Sequence, residues 1–353
     1  MANIRRLFPG GNTSSGFFSY HDNIIDIDRN MLYILKGMPG GGKSSLMREI
    51  GENAAKEGYS VEFHHCPSDP NSIDALVINE LKVGIVDGTA PHIIDPVYPG
   101  LIDKIIDLGQ FIDSDRLRLY RTEIFTAKQN NKNAYKKAFN YFKSSKSIFD
   151  EIESNNKQRV DFKSINKLTK NVLERIFNKD EVANNAVGFK VRHLFSAAYT
   201  PEGFVDFTST LLDGVKNRYF LNGEIGTGKT TFFLRIIEEA KLRNYHMEIF
   251  HNPLIPSKID GLLIKETNTI ISISKETKNY IYTTIDFDEY FDKDSLDLED
   301  YRLFNTLVGK WMEGLASAKE NHNLIEAVYK KSINYGGIDI IKSNIWEEIQ
   351  DYK

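Results

Sequence analysis

Short apolar runs alternate, along each half of the chain, with segments in which apolar residues recur every three or four positions. Short apolar runs are typical of buried strands, and the longer spacing is typical of one face of a helix. Predicted strands cover residues 31–36, 60–64, 83–86, 218–221 and 246–251, and predicted helices cover 46–56 and 232–243. Strands that alternate with helices predict an α/β fold of parallel sheets flanked by helices.

Two longer segments have few glycines and are predicted to be long helices outside the alternation of strands and helices. One helix face is predicted by Tyr135, Phe139, Phe142, Phe149 and Ile152, which are separated by 4, 3, 7 and 3 positions. Residues 303–329 follow a similar pattern. We expect each segment to form a helical hairpin appended to the lobe that precedes it.

The motif G-x-x-x-x-G-K-[ST] occurs twice, at residues 37–44 and 223–230, a spacing of 186. The same spacing continues downstream without a gap. Further matches, some at slightly different spacings, place 65–74 over 251–260, 5–8 over 192–195, 106–113 over 285–292 and 135–141 over 329–335. The chain is therefore predicted to be an internal duplication of two lobes.

Charge divides the chain further. Residues 116–190 contain 17 Lys and Arg against 8 Asp and Glu, although the whole chain has a formal net charge of −4. Such a contrast marks domain boundaries. The predicted organisation is a first lobe at 1–115, a basic helical appendage at 116–190, a second lobe at 191–292 and a second helical appendage at 293–353.

Loops rich in glycine can bind phosphate chains. Glycine lets the backbone approach an anion and adopt positive φ, and successive N–H groups at a helix N-terminus form a nest for it. The predicted binding residues are Gly37, Gly40, Gly41, Gly42, Lys43, Ser44 and Ser45, and Gly223, Gly226, Gly228, Lys229, Thr230 and Thr231. The motif lysines would reach the β- and γ-phosphates, and Ser44 and Thr230 would ligate Mg²⁺.

Both loops lie between a predicted strand and a predicted helix, and each half resembles a P-loop NTPase over about 100 residues. The whole chain is similar to a little-characterised group of tandem P-loop ATP-binding proteins from Gram-positive bacteria. The resemblance implies that ATP and Mg²⁺ are the ligands. No N-K-x-D segment of the GTPase type is present, which also favours ATP.

A P-loop site also needs an acid at the end of a hydrophobic strand. Asp87 follows 83–86 and would hold Mg²⁺ or its water, with a plain strand-end turn at Asp87 and Gly88 as the alternative. The corresponding position in the second half is Ile273. We expect Lys43 and Asp87 to be catalytic. We expect the second site to bind nucleotide without efficient hydrolysis, unless Glu266 or Glu276 supplies the acid or the two lobes share one composite site.

Several other polar residues occur in both halves. His65 and His251 are expected to end their strands rather than orient a phosphate. A zinc site with Cys66 is not expected, because the second half has Asn252 at that position.

Two further pairs repeat as well. Asp74 and Asp260 would position a water or a substrate hydroxyl, or cap a turn. Arg5 and Arg192 would contact phosphate or base, but surface salt bridges are the expected interpretation.

The basic helical segment allows more than one interpretation. Its cations include Arg116, Arg118, Arg121, Lys136 and Lys137. They would form a solvated helix face, supply an arginine finger or touch nucleic acid. No named nucleic-acid motif is present, so nucleic acid is not an expected partner.

Composition and the length of the apolar runs indicate in which compartment we expect the protein. Hydrophobic residues make up 41% of the chain, and Cys66 is the single cysteine, so no intramolecular disulfide forms. No apolar run reaches the roughly 18–20 residues that a membrane span requires. We expect a cytoplasmic protein without a membrane partner.

The leading functional hypothesis is an ATPase in which the first lobe hydrolyses ATP and the second binds nucleotide or regulates. One alternative is a P-loop kinase that transfers the γ-phosphate to a nucleotide or another small acceptor, with Asp74 or Asp87 as the base. Another is a nucleotide-gated scaffold whose basic helices bind a macromolecular partner.

Overall fold

The computed structural model describes residues 3–90, 93–177, 190–280 and 283–353. The first half contains strands β1 (Ile4–Leu7), β2 (Gly10–Thr13), β3 (Gly16–Ser19), β4 (Met31–Lys36), β5 (Val61–Cys66), β6 (Asp69–Ile78), β7 (Val83–Asp87) and β8 (Asp103–Asp107), and helices α1 (Lys43–Lys56), α2 (Ser114–Arg118), α3 (Arg121–Lys157) and α4 (Phe162–Ile176). The second half contains strands β9 (Val191–Leu194), β10 (Ala197–Thr200), β11 (Gly203–Asp206), β12 (Asn217–Asn222), β13 (Met247–His251), β14 (Ile259–Ile264), β15 (Thr269–Ser272) and β16 (Thr283–Asp286), and helices α5 (Lys229–Leu242), α6 (Leu298–Lys330) and α7 (Tyr335–Gln350).

Two six-stranded sheets form the centres of the two lobes. The strand order is β1-β5-β6-β7-β4-β8 in the first lobe and β9-β13-β14-β15-β12-β16 in the second. These orders are the same when equivalent strands of the two halves are matched. The expected α/β class is confirmed, and the two sheets repeat one topology.

The sheets are mixed, so the prediction of parallel sheets is wrong. β6 runs antiparallel to β5 and β7, and β14 runs antiparallel to β13 and β15. The remaining pairs within the two sheets are parallel. Only residues 67–68 separate β5 from β6 and only 79–82 separate β6 from β7, whereas a parallel crossover needs a dozen residues or more.

The helical segments cross from one lobe to the other. α3 and α6 pack along each other over much of their length. α4 then buries Ile165 and Val172 in the core of the second lobe, and α7 buries Ile338 and Ile345 in the core of the first. Each hairpin therefore ends on the opposite lobe, which differs from the expectation that it belongs to the lobe before it.

Matched backbone contacts fix the correspondence between the two hairpins. Val160 forms an isolated antiparallel bridge with Phe291, and Ile333 forms the equivalent bridge with Ile112. Ile333 thus stands where Val160 does in the first half. The proposed match of 135–141 with 329–335 is therefore wrong, because it pairs the middle of α3 with the turn between α6 and α7.

The two sheets meet at their edge strands. Phe8 and Phe195, just beyond β1 and β9, exchange two backbone hydrogen bonds of 2.9 and 3.1 Å. Both rings are fully buried. The edges of the two sheets therefore cover each other instead of facing solvent.

A buried quartet of charges joins the same two edges. Arg5 lies 2.7 Å from Glu62 and also bonds Glu248, and Arg192 lies 2.7 Å from Glu62 and 3.5 Å from Glu248. These are not the surface salt bridges expected from the sequence, because the side chains are between 1 and 15% exposed. We call Arg5, Glu62, Arg192 and Glu248 the charge quartet.

Charge pairing outweighs desolvation within the quartet. Burial would raise the pKa of Glu248, but the positive charges of Arg5 and Arg192 lower it to about 2. Burial would also raise the pKa of Glu62, but the same two arginines lower it well below its ordinary value. Both carboxylates therefore stay ionised at neutral pH.

No helix in the described part of the chain is long and apolar enough to cross a bilayer.

Replacing Glu248 with Gln should destabilise the fold by about 3–5 kcal/mol at pH 7, because two buried arginines lose part of their compensating charge. The carboxylate's contribution is complete above its ordinary pKa of 4.5 and is lost as the pH falls toward 2. The difference from wild type should therefore shrink between those pH values. Chemical denaturation across pH 2–7 measures it.

The control is Glu313→Gln, which removes an exposed carboxylate paired with Lys310. It should change stability little at any pH. Equal effects of the two substitutions would contradict the structural role of the quartet.

Candidate functional site

Each G-K motif forms a loop between a strand and a helix. The first glycine loop, residues 37–44, joins β4 to α1, and the second glycine loop, residues 223–230, joins β12 to α5. Gly42 and Gly228 precede the helices in the left-handed conformation, with φ of +77° and +94°. Gly40 and Gly226 have φ of +75° and +89°. Both loops thus have the same backbone turns, which only glycine adopts without strain.

The motif lysines fold back over their own loops. The Nζ of Lys43 donates to the carbonyls of Gly37 at 2.9 Å and Met38 at 3.1 Å. The Nζ of Lys229 donates to the carbonyls of Gly223 and Glu224, the latter at 2.7 Å. Each ammonium group is therefore held at the mouth of its loop.

The hydroxyl residues that follow the lysines lie in the first turn of each helix. The Oγ of Ser44 accepts a hydrogen bond of 3.0 Å from the backbone N–H of Ile73 in β6. Thr230, the equivalent residue, is half-buried, whereas Ser45 and Thr231 are exposed. Ser44 is therefore fixed in position by the neighbouring strand.

Two acids accompany Lys43 in the first lobe. Asp87, at the end of β7, lies 3.5 Å from the Nζ of Lys43 and accepts a 2.9 Å bond from the N–H of Thr89. Asp74 is buried on β6, and burial, with a further contribution from the charge of Asp87, raises its pKa to about 8. Asp74 therefore holds its proton at neutral pH, beside the Lys43–Asp87 ion pair.

The second lobe has no acid at the position of Asp87. Ser272 pairs with Phe220 as Val86 pairs with Ile34, so Ile273 follows where Asp87 would stand. Glu266 does not replace it, because it bonds His246 at 2.7 Å. The side chain of Glu276 is exposed.

The acids that act on Lys229 come from other positions. Burial lowers the pKa of Lys229, while the charges of Asp260, Asp288 and Glu224 oppose that change. Asp288 follows β16 and accepts a 2.8 Å bond from the N–H of Glu224. It also pairs with Lys293 at 2.9 Å. The sequence pattern missed Asp288, because only the order of strands in the sheet brings it close to Lys229.

Asp260 is the counterpart of Asp74, and the two acids have different neighbours. Burial raises the pKa of Asp260 to about 6. Asn252 donates to both carboxylate oxygens at 2.9 and 3.1 Å, whereas Asp74 has Cys66 as its equivalent neighbour. Both lobes therefore place an acid near the motif lysine, and this acid is buried in the first lobe and half-buried in the second.

Helices from the opposite half close each loop. A Cβ on Gly40 would lie 2.9 Å from the carbonyl oxygen of Glu326 in α6, and one on Gly226 would lie 2.8 Å from that of Glu153 in α3. Asn156 donates to the carbonyl of Ile225 at 2.8 Å. Every glycine loop is thus completed by residues that the chain encodes far from it.

Tyr335, at the start of α7, donates to the carbonyl of Gly40 at 3.1 Å. Phe162, at the start of α4, lies over Gly228 in the equivalent place. An aromatic ring from the crossing hairpin therefore rests on the last turn of each loop.

The repeated histidines have a local structural role. The Nδ1 atoms of His65 and His251 lie 2.7 and 2.6 Å from the carbonyls of Pro70, at the start of β6, and Pro256, in the turn before β14. No group of three or more potential metal ligands occurs among residues 3–90, 93–177, 190–280 and 283–353. The expected strand-end role fits these contacts.

The basic residues of the first hairpin face solvent. Those singled out above, Arg116, Arg118, Arg121, Lys136 and Lys137, are all exposed. Arg118 pairs with Asp115 at 2.9 Å, and Arg121 lies over the ring of Phe125 at 5.3 Å. These contacts with chain neighbours are those of a solvated helix face.

No family model matches the chain, and neither a curated protein nor a solved structure matches it.

Gly226→Ala should lower the stability of the fold by about 2–4 kcal/mol, because a Cβ there meets the backbone of α3 and the φ of +89° is strained for alanine. The midpoint of chemical denaturation measures the loss. Gly309→Ala is the matched control, since a Cβ there meets nothing within 4 Å in the interior of α6. It should stabilise by up to about 1 kcal/mol, and similar behaviour of the two variants would contradict the closure of the loop by α3.

Proposed function

We propose that the protein is an ATP-binding P-loop NTPase that hydrolyses ATP mainly at the first glycine loop. The observation that carries the proposal is the repeated loop geometry. Both loops have positive-φ glycines at equivalent places, a lysine folded over the loop and a helix that begins at that lysine. Such loops direct N–H groups and the positive end of a helix dipole toward an anion.

The lysine contacts support a phosphate ligand. An ammonium group that donates hydrogen bonds to neutral carbonyls can exchange these partners for phosphate oxygens, which form stronger, charge-assisted hydrogen bonds. Lys43 and Lys229 are already placed at the mouths of their loops. Little rearrangement of either lysine is then needed when the triphosphate binds.

Mg²⁺ would be held in the first lobe by Ser44 and Asp87. A hydroxyl and a carboxylate are the hard oxygen ligands that Mg²⁺ prefers, with waters and phosphate oxygens completing its shell. Asp87 lies close to Lys43 and is oriented by Thr89, so its carboxylate faces the same loop. Asp74, protonated and buried beside them, can donate a hydrogen bond to the nucleotide or to the attacking water.

The second lobe would bind nucleotide and regulate. Thr230 supplies a hydroxyl for Mg²⁺, but Ile273 occupies the place of the acid. Asp288 already accepts from Glu224 and pairs with Lys293, so its charge is committed to the fold. A site that lacks a preorganised carboxylate loses part of its electrostatic stabilisation of the transition state.

Calorimetric titration with a non-hydrolysable ATP analogue and Mg²⁺ should give two sites per chain, because both loops keep the glycines, the lysine and the hydroxyl. Lys43→Ala should remove one site and Lys229→Ala the other. If Lys43→Ala alone abolished all binding, the second loop would have no nucleotide function.

Steady-state phosphate release, without any added acceptor, tests the division of labour. Lys43→Ala and Asp87→Asn should each lower the rate on the order of 10²–10³-fold, since each removes a charge that acts on the transferring phosphoryl group. Lys229→Ala is the matched change in the other loop, and it should alter the rate mainly through coupling between the two loops. An inactive Lys229→Ala beside an active Lys43→Ala would reverse the assignment, and release only with an acceptor would indicate a kinase.

A further inference from the structure

A small pocket lies beside the second glycine loop, between α4 and α5. Its volume is about 200 Å³. The lining residues come from both halves of the chain: Phe162, Ile165, Asn166 and Thr169 from α4, and Thr231 and Arg235 from α5. Pockets for drug-sized ligands start near 300 Å³, so this space suits a single ring system.

The pocket is continuous with the loop that would hold the phosphates. Gly228, the last glycine of the loop, also lines it, and Thr231 follows Thr230 in the first turn of α5. The ring of Phe162 comes within 3.3 Å of where a Cβ on Gly228 would stand. A nucleotide with its phosphates on the loop therefore has this cavity beside it for its nucleoside.

The lining matches a flat heteroaromatic base. Phe162 is 39% exposed and offers a ring face for stacking, and Ile165 is buried at the apolar side. The polar edge is formed by Asn166, whose Oδ1 accepts a 2.5 Å bond from Arg235. The amide N–H groups of Asn166 and the other N–H groups of Arg235 remain as donors. Purine bases present acceptors such as N7, with O6 in guanine, to donors of this kind.

The corresponding place in the first lobe is built differently. Asp339, Lys342 and Glu49 stand where Asn166, Thr169 and Arg235 stand in the second lobe. Lys342 lies 2.9 Å from Asp339 and also bonds Glu49. An ion-paired lysine thus spans the contact between α7 and α1, where the second lobe has a threonine.

We propose that the pocket between α4 and α5 receives the purine base of a nucleotide whose phosphates lie on the second glycine loop. The inference rests on the proposed nucleotide binding and adds where the base is recognised. α4, a helix encoded by the first half of the chain, then contacts the base of the nucleotide bound to the second lobe. Phe162 stacks on the base, while Asn166 and Arg235 donate to its edge.

The experiment isolates the second site with full-length Lys43→Ala protein. Calorimetry measures the binding of Mg²⁺ with non-hydrolysable ATP and GTP analogues, with CTP and with inorganic tripolyphosphate, which has no base. The purine nucleotides should bind more tightly than CTP and tripolyphosphate, and the tighter of the two identifies the purine. Phe162→Ala should weaken purine binding about tenfold, the usual effect of losing an aromatic stack, and leave tripolyphosphate unchanged.

A matched control and a second variant complete the test. Phe125→Ala removes an exposed ring on α3 that does not line the pocket, and it should leave the binding of both ligands unchanged. Asn166→Ala truncates an exposed side chain without disturbing the core, so it tests the pocket even if Phe162→Ala folds poorly. This substitution too should weaken the binding of the purine nucleotides and leave the binding of tripolyphosphate unchanged.

The outcomes separate the two proposals. Three results would overturn the base pocket and leave the loop assignment standing. Both variants could lose affinity for nucleotide and tripolyphosphate equally, neither variant could lose affinity, or CTP could bind as tightly as the purine nucleotides. If neither nucleotide nor tripolyphosphate bound the Lys43→Ala protein, the nucleotide function of the second loop would itself be wrong.

Discussion

The arrangement of the two lobes depends on four charged side chains that can be buried only together. Arg5 and Arg192 lie on the edge strands β1 and β9, and each arginine bonds a glutamate of its own sheet and one of the other. Removing a partner from such a set leaves an uncompensated charge in a place that water does not reach. The two sheet edges are therefore held in one relative position, which the Phe8–Phe195 backbone bridge shares.

That fixed position sets the distance that the long helices must span. α3 has 37 residues and α6 has 33, lengths of about 50–55 Å at the usual rise per residue. Each helix leaves one lobe and reaches the glycine loop of the other, so neither loop is completed by its own half. These helices therefore connect the two glycine loops, and packed rigid elements of this kind are what carries coupling between distant parts of a protein.

The local features were predictable because they depend on short spacings. The strands beside each loop, the glycine turns and the absence of an acid at Ile273 all follow from residues that are close in the chain. The antiparallel direction of β6 was missed, because the polar residues from Asp69 to Asp74 obscured a ten-residue strand joined to its neighbour by a two-residue turn.

The long-range features could not be read in the same way. The crossing of the hairpins leaves no periodic signal, since the periodicity of α4 predicts an apolar face but not the lobe on which that face packs. Arg5 and Glu248 are 243 residues apart, and nothing local marks them as partners. Asp288 approaches Lys229 only because β16 lies next to β12, and that order is a property of the sheet.

Because the helices cross, the order in which the two glycine loops are synthesised differs from the order in which their closing helices are synthesised. The first glycine loop leaves the ribosome before Glu326 and Tyr335, which close it and are encoded far along the chain. At about 5–20 residues per second, that loop waits roughly 15–60 seconds for its partners. The second loop is made after α3 and α4, the two helices that close it. The two halves repeat one topology, yet the closing helices are made after the loop in one lobe and before the loop in the other.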